Sequence, residues 1–475
     1  MHKFKLMVMM SLSVVAGCRT IMNAHEKQRE LSPYGEVDNS TNANEEVKKV
    51  NLAGYSLEQL VDFALTNRPS VVIANLAVED ARLALKAIDS NAPLLSTTPW
   101  NALQLSANIN YSASSEADYR PRLETEGGAT GGLSLQILLY DFGRNQSEAG
   151  AQAERVIAAE MDALRESYNV FNEVTTAYFK LLESDALLEN AQSNVVEYVV
   201  HLQQAEERLA AGEALKLDVT RAKLDLSKAY ESTLVASNQV SIAGVTLMKA
   251  LGIDALHGNR DEVYPARGLM LDTVMRGFAD TDYDVNEIYL AALESSPAVN
   301  LARARFRAAS REVDRAIADM MPNVTANVGL NWMDPLWAWN WGVGAVQSLF
   351  QGFRKTTAVD RAVLALEAAA MEVQEAEHQL SLDVETAIAN RDDAKKILET
   401  SYISIARAME NLDLVKERLY DGDANRVDYT VATVDLVSQI SYAVSAFYNG
   451  QQSEAKLFSI IGLMPSYQEE EVKAK

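Results

Sequence analysis

Apolar and polar residues alternate strictly along one stretch near the middle of the chain, NVTANVGLNW at 323–332. A period of two places successive side chains on opposite faces, so this stretch predicts a β-strand with one apolar face. The segments before and after it are rich in Ala, Glu, Leu and Arg, with apolar residues three and four positions apart. That spacing predicts helices on both sides of the strand.

The same alternation occurs at about 101–113, 131–140 and 337–349, which predicts two hairpins. Each strand has roughly the length at which a tilted strand crosses a lipid bilayer. The polar positions are Asn, Gln, Ser, Thr and Gly, so we expect one face in water and the other in lipid. The tryptophans of the second hairpin are expected at the membrane interface. They are Trp332, Trp337, Trp339 and Trp341.

The chain contains an internal repeat. RLAAGEALKLDVTRA from Arg208 recurs as RLYDGDANRVDYTVA from Arg418, and LLYDFGR, ending at Arg144, corresponds to SLFQGFR, ending at Arg354. ALTNRP from Ala64 and LGI at Leu251 also have counterparts in the second half. Each copy therefore predicts a short helix, a break marked by proline, a second helix, a β-hairpin, a very long helix, a turn and a returning helix.

The repeat sets the predicted domain boundaries. The first copy covers 55–251 and the second 286–463, separated by a linker at 252–285 and followed by an acidic tail at 464–475. The long helices are predicted at about 143–211 and 352–420, each on the order of 100 Å long at 1.5 Å per residue. Glycine just beyond each one fits the left-handed position that ends helices.

The N-terminus has the features of a lipoprotein signal peptide. Lys3 and Lys5 precede an apolar run, and VAGC places small residues directly before Cys18. We therefore expect a signal peptide at 1–17, acylation of Cys18, and a flexible polar tether at 18–54. No later stretch of about 20 apolar residues predicts a spanning helix, so the strands are expected to cross the membrane.

Composition narrows the function further. The net charge is -23 and the isoelectric point about 4.7, which excludes a protein that coats nucleic acid. The single cysteine and the five histidines do not fall at the spacing of a metal site. We predict no enzyme, no metal and no cofactor.

The repeated motifs, in order and with matched spacing, resemble those of the TolC family of outer-membrane efflux channels, in particular its lipid-anchored members. The resemblance covers about residues 55–464. It implies a mainly α fold with a membrane β-barrel: a homotrimer whose 12-strand β-barrel continues into a 12-helix periplasmic α-barrel. It also implies outer-membrane lipid around the barrel, a periplasmic adaptor, and an inner-membrane pump of RND or ABC type.

The resemblance places the turns after the long helices at the periplasmic tip, where the family narrows to an aperture. Asp218 and Asp428 match acidic aperture positions, whereas Leu419 stands where a tyrosine is expected and Val431 where a second acid is expected. The full set of aperture candidates is Asp218, Tyr420, Asp421, Arg426 and Asp428. The candidates for adaptor contact are Arg208, Leu209, Gly212, Arg418, Leu419 and Gly422.

Two alternatives stay open on the residues alone. The two aspartates could only cap the returning helices, a role compatible with lining an aperture. At the level of function, the alternative to a channel is a lipid-anchored periplasmic coiled-coil scaffold without channel activity.

Overall fold

The structure is a computed structural model. It describes residue 24, which is helical, and residues 56–462 except 90–102, 116–124, 213–214, 254–283, 334–335, 349, 422 and 424–425. The described residues from 56 onward all belong to one unit, 51–475. The predicted signal peptide, Cys18, nearly all of the tether and the linker, and the acidic tail lie outside the described residues.

The element order repeats, as the sequence predicts. In chain order the elements are α1 (Leu57–Asn67), α2 (Pro69–Asp89), β1 (Leu103–Ser115), β2 (Thr125–Tyr140), α3 (Arg144–Ala210), α4 (Lys216–Ala250), α5 (Val285–Ser295), α6 (Pro297–Ala318), β3 (Asn323–Met333), β4 (Leu336–Val346), α7 (Arg354–Asp421) and α8 (Arg426–Ile461). The predicted fold class, a duplicated helix, hairpin and long-helix unit, is confirmed. Among the described residues, no helix is both long and apolar enough to cross a bilayer.

The four strands form one antiparallel sheet in the order β1-β2-β3-β4, so the two hairpins join through β2 and β3. The register keeps apolar and polar positions on separate faces. Leu135, Val328 and Trp341 lie side by side in one row, and the next row contains Asn327 opposite Gly342. The alternation read from the sequence therefore extends across neighbouring strands.

Strand β2 begins earlier than predicted. It starts at Thr125 rather than near 131, and it therefore includes the whole GGATGG segment at 127–132. The hairpin pairs residue for residue without a shift, from Leu103 opposite Ile137 to Ser115 opposite Thr125. This continuous backbone pairing with β1 outweighs the weak strand preference of glycine. The predicted start near 131 is therefore too late.

Two residues with positive φ lie directly before each long helix. Phe142 and Gly143 have φ angles of 55° and 86°, and Gly352 and Phe353 have 60° and 63°. Both copies therefore use a phenylalanine and a glycine at this turn, in opposite order. In the first copy the buried carboxylate of Asp141 also accepts hydrogen bonds from the backbone N–H groups of residues 143 (3.2 Å) and 145 (2.8 Å).

The returning helices end on glycines that pack against the proline-marked breaks. Gly252 (φ 77°) follows α4 and lies against Arg68, between α1 and α2. Gly462 (φ 80°) follows α8 and lies against Ser295, at the end of α5. The hydroxyl of Tyr168 on α3 donates to the carbonyl of Gly462 at 2.6 Å. The same turn therefore closes both copies at the middle of the long helices.

Helix α3 packs against α2 and α6 along its first half and against α4 and α8 along its second half. Ion pairs connect α3 to α6, from Arg155 to Glu312 at 2.5 Å and from Arg307 to Glu154 at 2.7 Å. These partly exposed pairs contribute little stability each. They do align the first copy with the second.

We expect Gly462→Ala to destabilise the protein more than Gly143→Ala. Both substitutions place an L-residue at positive φ, at a cost of about 1 kcal/mol or more. At Gly462 the added Cβ would also lie 3.2 Å from Cβ and 3.3 Å from the carbonyl oxygen of Ser295, whereas at Gly143 nothing lies within 4 Å. Midpoints of thermal unfolding measure the difference, and equal midpoints would contradict this packing.

Candidate functional site at the turns that end the long helices

The first turn joins α3 to α4 and contains four of the predicted site residues. Gly212 adopts a left-handed conformation (φ 80°), and its N–H donates to the carbonyl of Leu209 at 3.1 Å. The carboxylate of Asp218 accepts the N–H of Leu215, just before α4, at 3.0 Å. Asp218 therefore caps the returning helix, the role that the sequence analysis leaves open beside lining an aperture.

The second turn joins α7 to α8. The carbonyl of Arg418 accepts the N–H of Asp423 at 2.9 Å, and the Arg418 guanidinium donates to the Asp423 carbonyl at 3.4 Å. Asp428 is exposed in the first turn of α8. Tyr420 and Asp421 end α7 and Arg426 begins α8, but their side chains, like all of Gly422, lie outside the described residues.

The two turns are neighbours in space. The guanidinium of Arg208, in the last turn of α3, donates to the carbonyl of Leu419, in the last turn of α7, at 3.5 Å. A cluster of apolar side chains packs between the paired helices next to each turn. Leu202, Ala205 and Val219 form the cluster between α3 and α4, and Leu419 belongs to the corresponding cluster between α7 and α8. The structure thus brings the tip candidates of both copies together.

A polar cluster that the sequence analysis misses lies above these turns. One carboxylate oxygen of Glu197, on α3, accepts the hydroxyl of Tyr429 on α8 at 2.7 Å and lies 2.7 Å from the ammonium of Lys416 on α7. The ring of His201 contacts the ring of Tyr429, with centroids 3.6 Å apart. On the adjoining side, Thr430 donates to Asp225 of α4 at 3.3 Å. All four helices of the tip meet at this level.

Electrostatics favours the charged form of Glu197. Burial raises its pKa, but the hydrogen bonds from Lys416 and Tyr429 and the positive charge of Lys416 outweigh burial, and the net pKa lies below the ordinary 4.5. Burial and the bond to Glu197 raise the pKa of the Tyr429 hydroxyl well above its ordinary value. At neutral pH the pair is therefore a carboxylate and a protonated phenol, which makes a strong hydrogen bond.

No motif marks this cluster in the sequence. Glu197 and Tyr429 are 232 residues apart, and they belong to different copies of the repeat. Tyr429 follows Asp428 directly, so its position beside an aperture candidate is the only local signal.

The aromatic candidates lie in the second hairpin. Trp339 and Trp341 are 73% and 71% exposed in the isolated chain, on the apolar face of the sheet. The register pairs Trp332 with Trp337. The side chains of those two residues are outside the described set, so their predicted interfacial role stays a prediction.

The sequence profile of the family described as outer membrane efflux protein matches residues 63–253 and 288–463. The two matched segments nearly coincide with the two copies of the repeat, and they cover most of the chain. Comparison with curated protein sequences gives no match.

Several solved structures share the fold. CusC, described in relation to folding and transmembrane channel formation, has a TM-score of 0.76 and 17% identity, covering 87% of this chain and 94% of its own. VceC, an outer membrane protein of Vibrio cholerae, has a TM-score of 0.71 and 17% identity, covering 86% and 96%. The CmeC outer membrane channel of Campylobacter jejuni has a TM-score of 0.71 and 16% identity, covering 86% and 85%.

At these identities the solved structures establish the fold, and the profile establishes the family. The scaffold alternative is not favoured, because the family consists of outer-membrane efflux channels. The family resemblance seen in the repeated motifs is confirmed: the chain belongs to the outer membrane efflux protein family.

Proposed function

We propose that three copies of the chain form a passive duct that carries substrates from a periplasmic adaptor and an inner-membrane pump, of RND or ABC type, to the cell exterior. Acylated Cys18 would hold the N-terminus in the outer membrane. The observation that carries the proposal is a set of surfaces that a single chain leaves incomplete. They occur both on the helices and at the edges of the sheet.

Helix α4 is apolar on two faces. One face packs against α3 and includes Ala222 (1% exposed). The other face has a stripe of apolar residues spaced seven, eleven and seven positions apart. Because these spacings are close to whole numbers of helical turns, the residues lie along one side of the helix. It consists of Leu217, Leu224, Val235 and Ile242, which are 53%, 55%, 71% and 50% exposed. A second apolar face on a long helix requires a partner, and a neighbouring copy offers the matching helices.

The sheet gives the same conclusion independently. Its outer strands are β1 and β4, and each has one side without a neighbouring strand in the described sheet. Unpaired backbone N–H and C=O groups cost several kcal/mol each in lipid, so other copies must pair with these edges. Three copies supply 12 strands, which can close.

The turns at Gly212 and around residue 422 would then form the periplasmic entrance and the contact with the adaptor. Threefold symmetry repeats Asp218 and Asp428 around the axis. A ring of carboxylates raises the local concentration of cations, which supports a cation-preferring aperture.

Val235→Glu is expected to disrupt the trimer, because an unpaired charge would be buried in the proposed interface. Mass measured by light scattering in detergent should fall from that of three chains to that of one. Glu231→Gln is the matched control. Glu231 is exposed and lies about one helical turn from Val235 on α4, and this variant should remain trimeric. A trimeric Val235→Glu variant would argue against this interface.

The purified trimer is expected to conduct ions in a planar bilayer, and Asp428→Ala combined with Arg426→Ala is expected to raise its single-channel conductance. The two substitutions remove polar groups from the proposed constriction. A chain that forms trimers but never conducts would favour a scaffold. Unchanged conductance in the double variant, with a conducting wild type, would exclude a latch at these residues while leaving the duct intact.

A further inference from the structure

Glu197 occupies a junction between the two helix pairs of the tip. A single oxygen of its carboxylate contacts Tyr429 of α8 and Lys416 of α7, each at 2.7 Å, while its own helix α3 pairs with α4. With the Arg208–Leu419 and Thr430–Asp225 hydrogen bonds, this side chain connects the α7–α8 pair to the α3–α4 pair, and of these three contacts it is the one that includes an ion pair. The junction lies about three to four helical turns above the end of α3 at Ala210.

The contact partners make this junction dependent on the carboxylate. The side chain of Tyr429 is 1% exposed, and it packs in a cluster with Leu412 and Ala432. Its hydroxyl therefore cannot replace Glu197 with bulk water unless the helices separate. Lys416, which is 40% exposed, would lose its carboxylate partner at the same time.

The second copy of the repeat lacks this arrangement. The residue at the same distance before the shared Arg–Leu turn is Arg407, which is 76% exposed and pairs with Glu410 on its own helix. The counterpart of Tyr429 in the first copy is Val219. The junction is therefore specific to the point where the first copy meets the second, and it is not a by-product of the repeat.

We infer that Glu197 is a positioning residue of the periplasmic aperture: its carboxylate helps to hold α7–α8 against α3–α4, and loss of its charge weakens that contact and widens the entrance. The inference rests on the proposed duct and extends it to a residue outside the turns themselves. It adds an ionic contact within each chain to the groups that keep the entrance closed.

The charged and titratable groups around Glu197 determine how acid acts on it. Tyr198 and His201 lie on α3, Asp225 on α4, Lys416 on α7 and Tyr429 on α8. Protonated His201, at 4.0 Å, would add a favourable charge. Because the folded pKa of Glu197 is lowered below 4.5, the contact is complete above that pH and is lost as the pH falls through the lower folded value.

The test is the single-channel conductance of reconstituted trimers between about pH 7 and pH 3, a range that brackets the carboxyl titration. Wild type should keep a constant conductance down to about pH 4.5 and then step upward. Glu197→Gln should conduct more at neutral pH and lose the step. Lys416→Met removes a cation partner, so its step should move up by about 1 pH unit or more.

Glu206→Gln is the matched control. Glu206 lies on the same helix and pairs with Lys223 of α4 at 3.1 Å, so that ion pair stays within one helix pair. Its pH profile should equal that of wild type. Tyr429→Phe keeps the ring and removes the donor, and it should raise neutral conductance while retaining an acid step.

The outcomes separate the two hypotheses. A wild-type trimer that never conducts contradicts the duct. A conducting wild type whose pH profile is shared by Glu197→Gln, Lys416→Met and Tyr429→Phe overturns the role of Glu197 and leaves the duct standing. If Glu197→Gln does not assemble, the other two variants decide, because both retain the carboxylate.

Discussion

Backbone hydrogen bonding at the two outer strands is the constraint from which the architecture follows. The apolar face of this sheet is suited to lipid. Unpaired backbone N–H and C=O groups at an open edge are costly in lipid, so further copies of the chain have to pair with the outer strands. The helices outside the membrane also have surface that requires a partner, because apolar side chains are exposed to water. The exposed apolar stripe on α4 also requires a neighbouring chain, at a level of the molecule far from the sheet. The same arrangement of three copies can therefore cover both the strand edges and the helices.

Gene duplication explains why so much of the fold is regular. The Phe and Gly pair before each long helix, and the Gly after each returning helix, recur in both copies because the backbone needs left-handed conformations at those points. The tip is where the copies diverge. Glu197 and Arg407 occupy corresponding positions, yet one connects three helices and the other is exposed.

The sequence predicts the fold class because the long elements end on strong local signals. Gly212 and the Phe–Gly junctions mark helix boundaries by their chemistry, so the predicted bounds of α3 and α7 differ from the observed ones by only one or two residues. The start of β2 could not be predicted, since the segment from Gly127 has no side-chain pattern and becomes a strand through its pairing with β1. The Glu197 cluster was also hidden, because its members meet only in the folded chain.

The junction between sheet and helix has a mechanical consequence. Only three residues, 141–143, separate β2 from the 67-residue helix α3, and two of them have left-handed backbone conformations, so this connection has little length in which to absorb a rotation of the helix. A rotation applied at the far ends of the long helices would therefore have to be absorbed within the helices themselves. Any change in the width of the duct is then expected near the turns that end the long helices, and not beside the sheet.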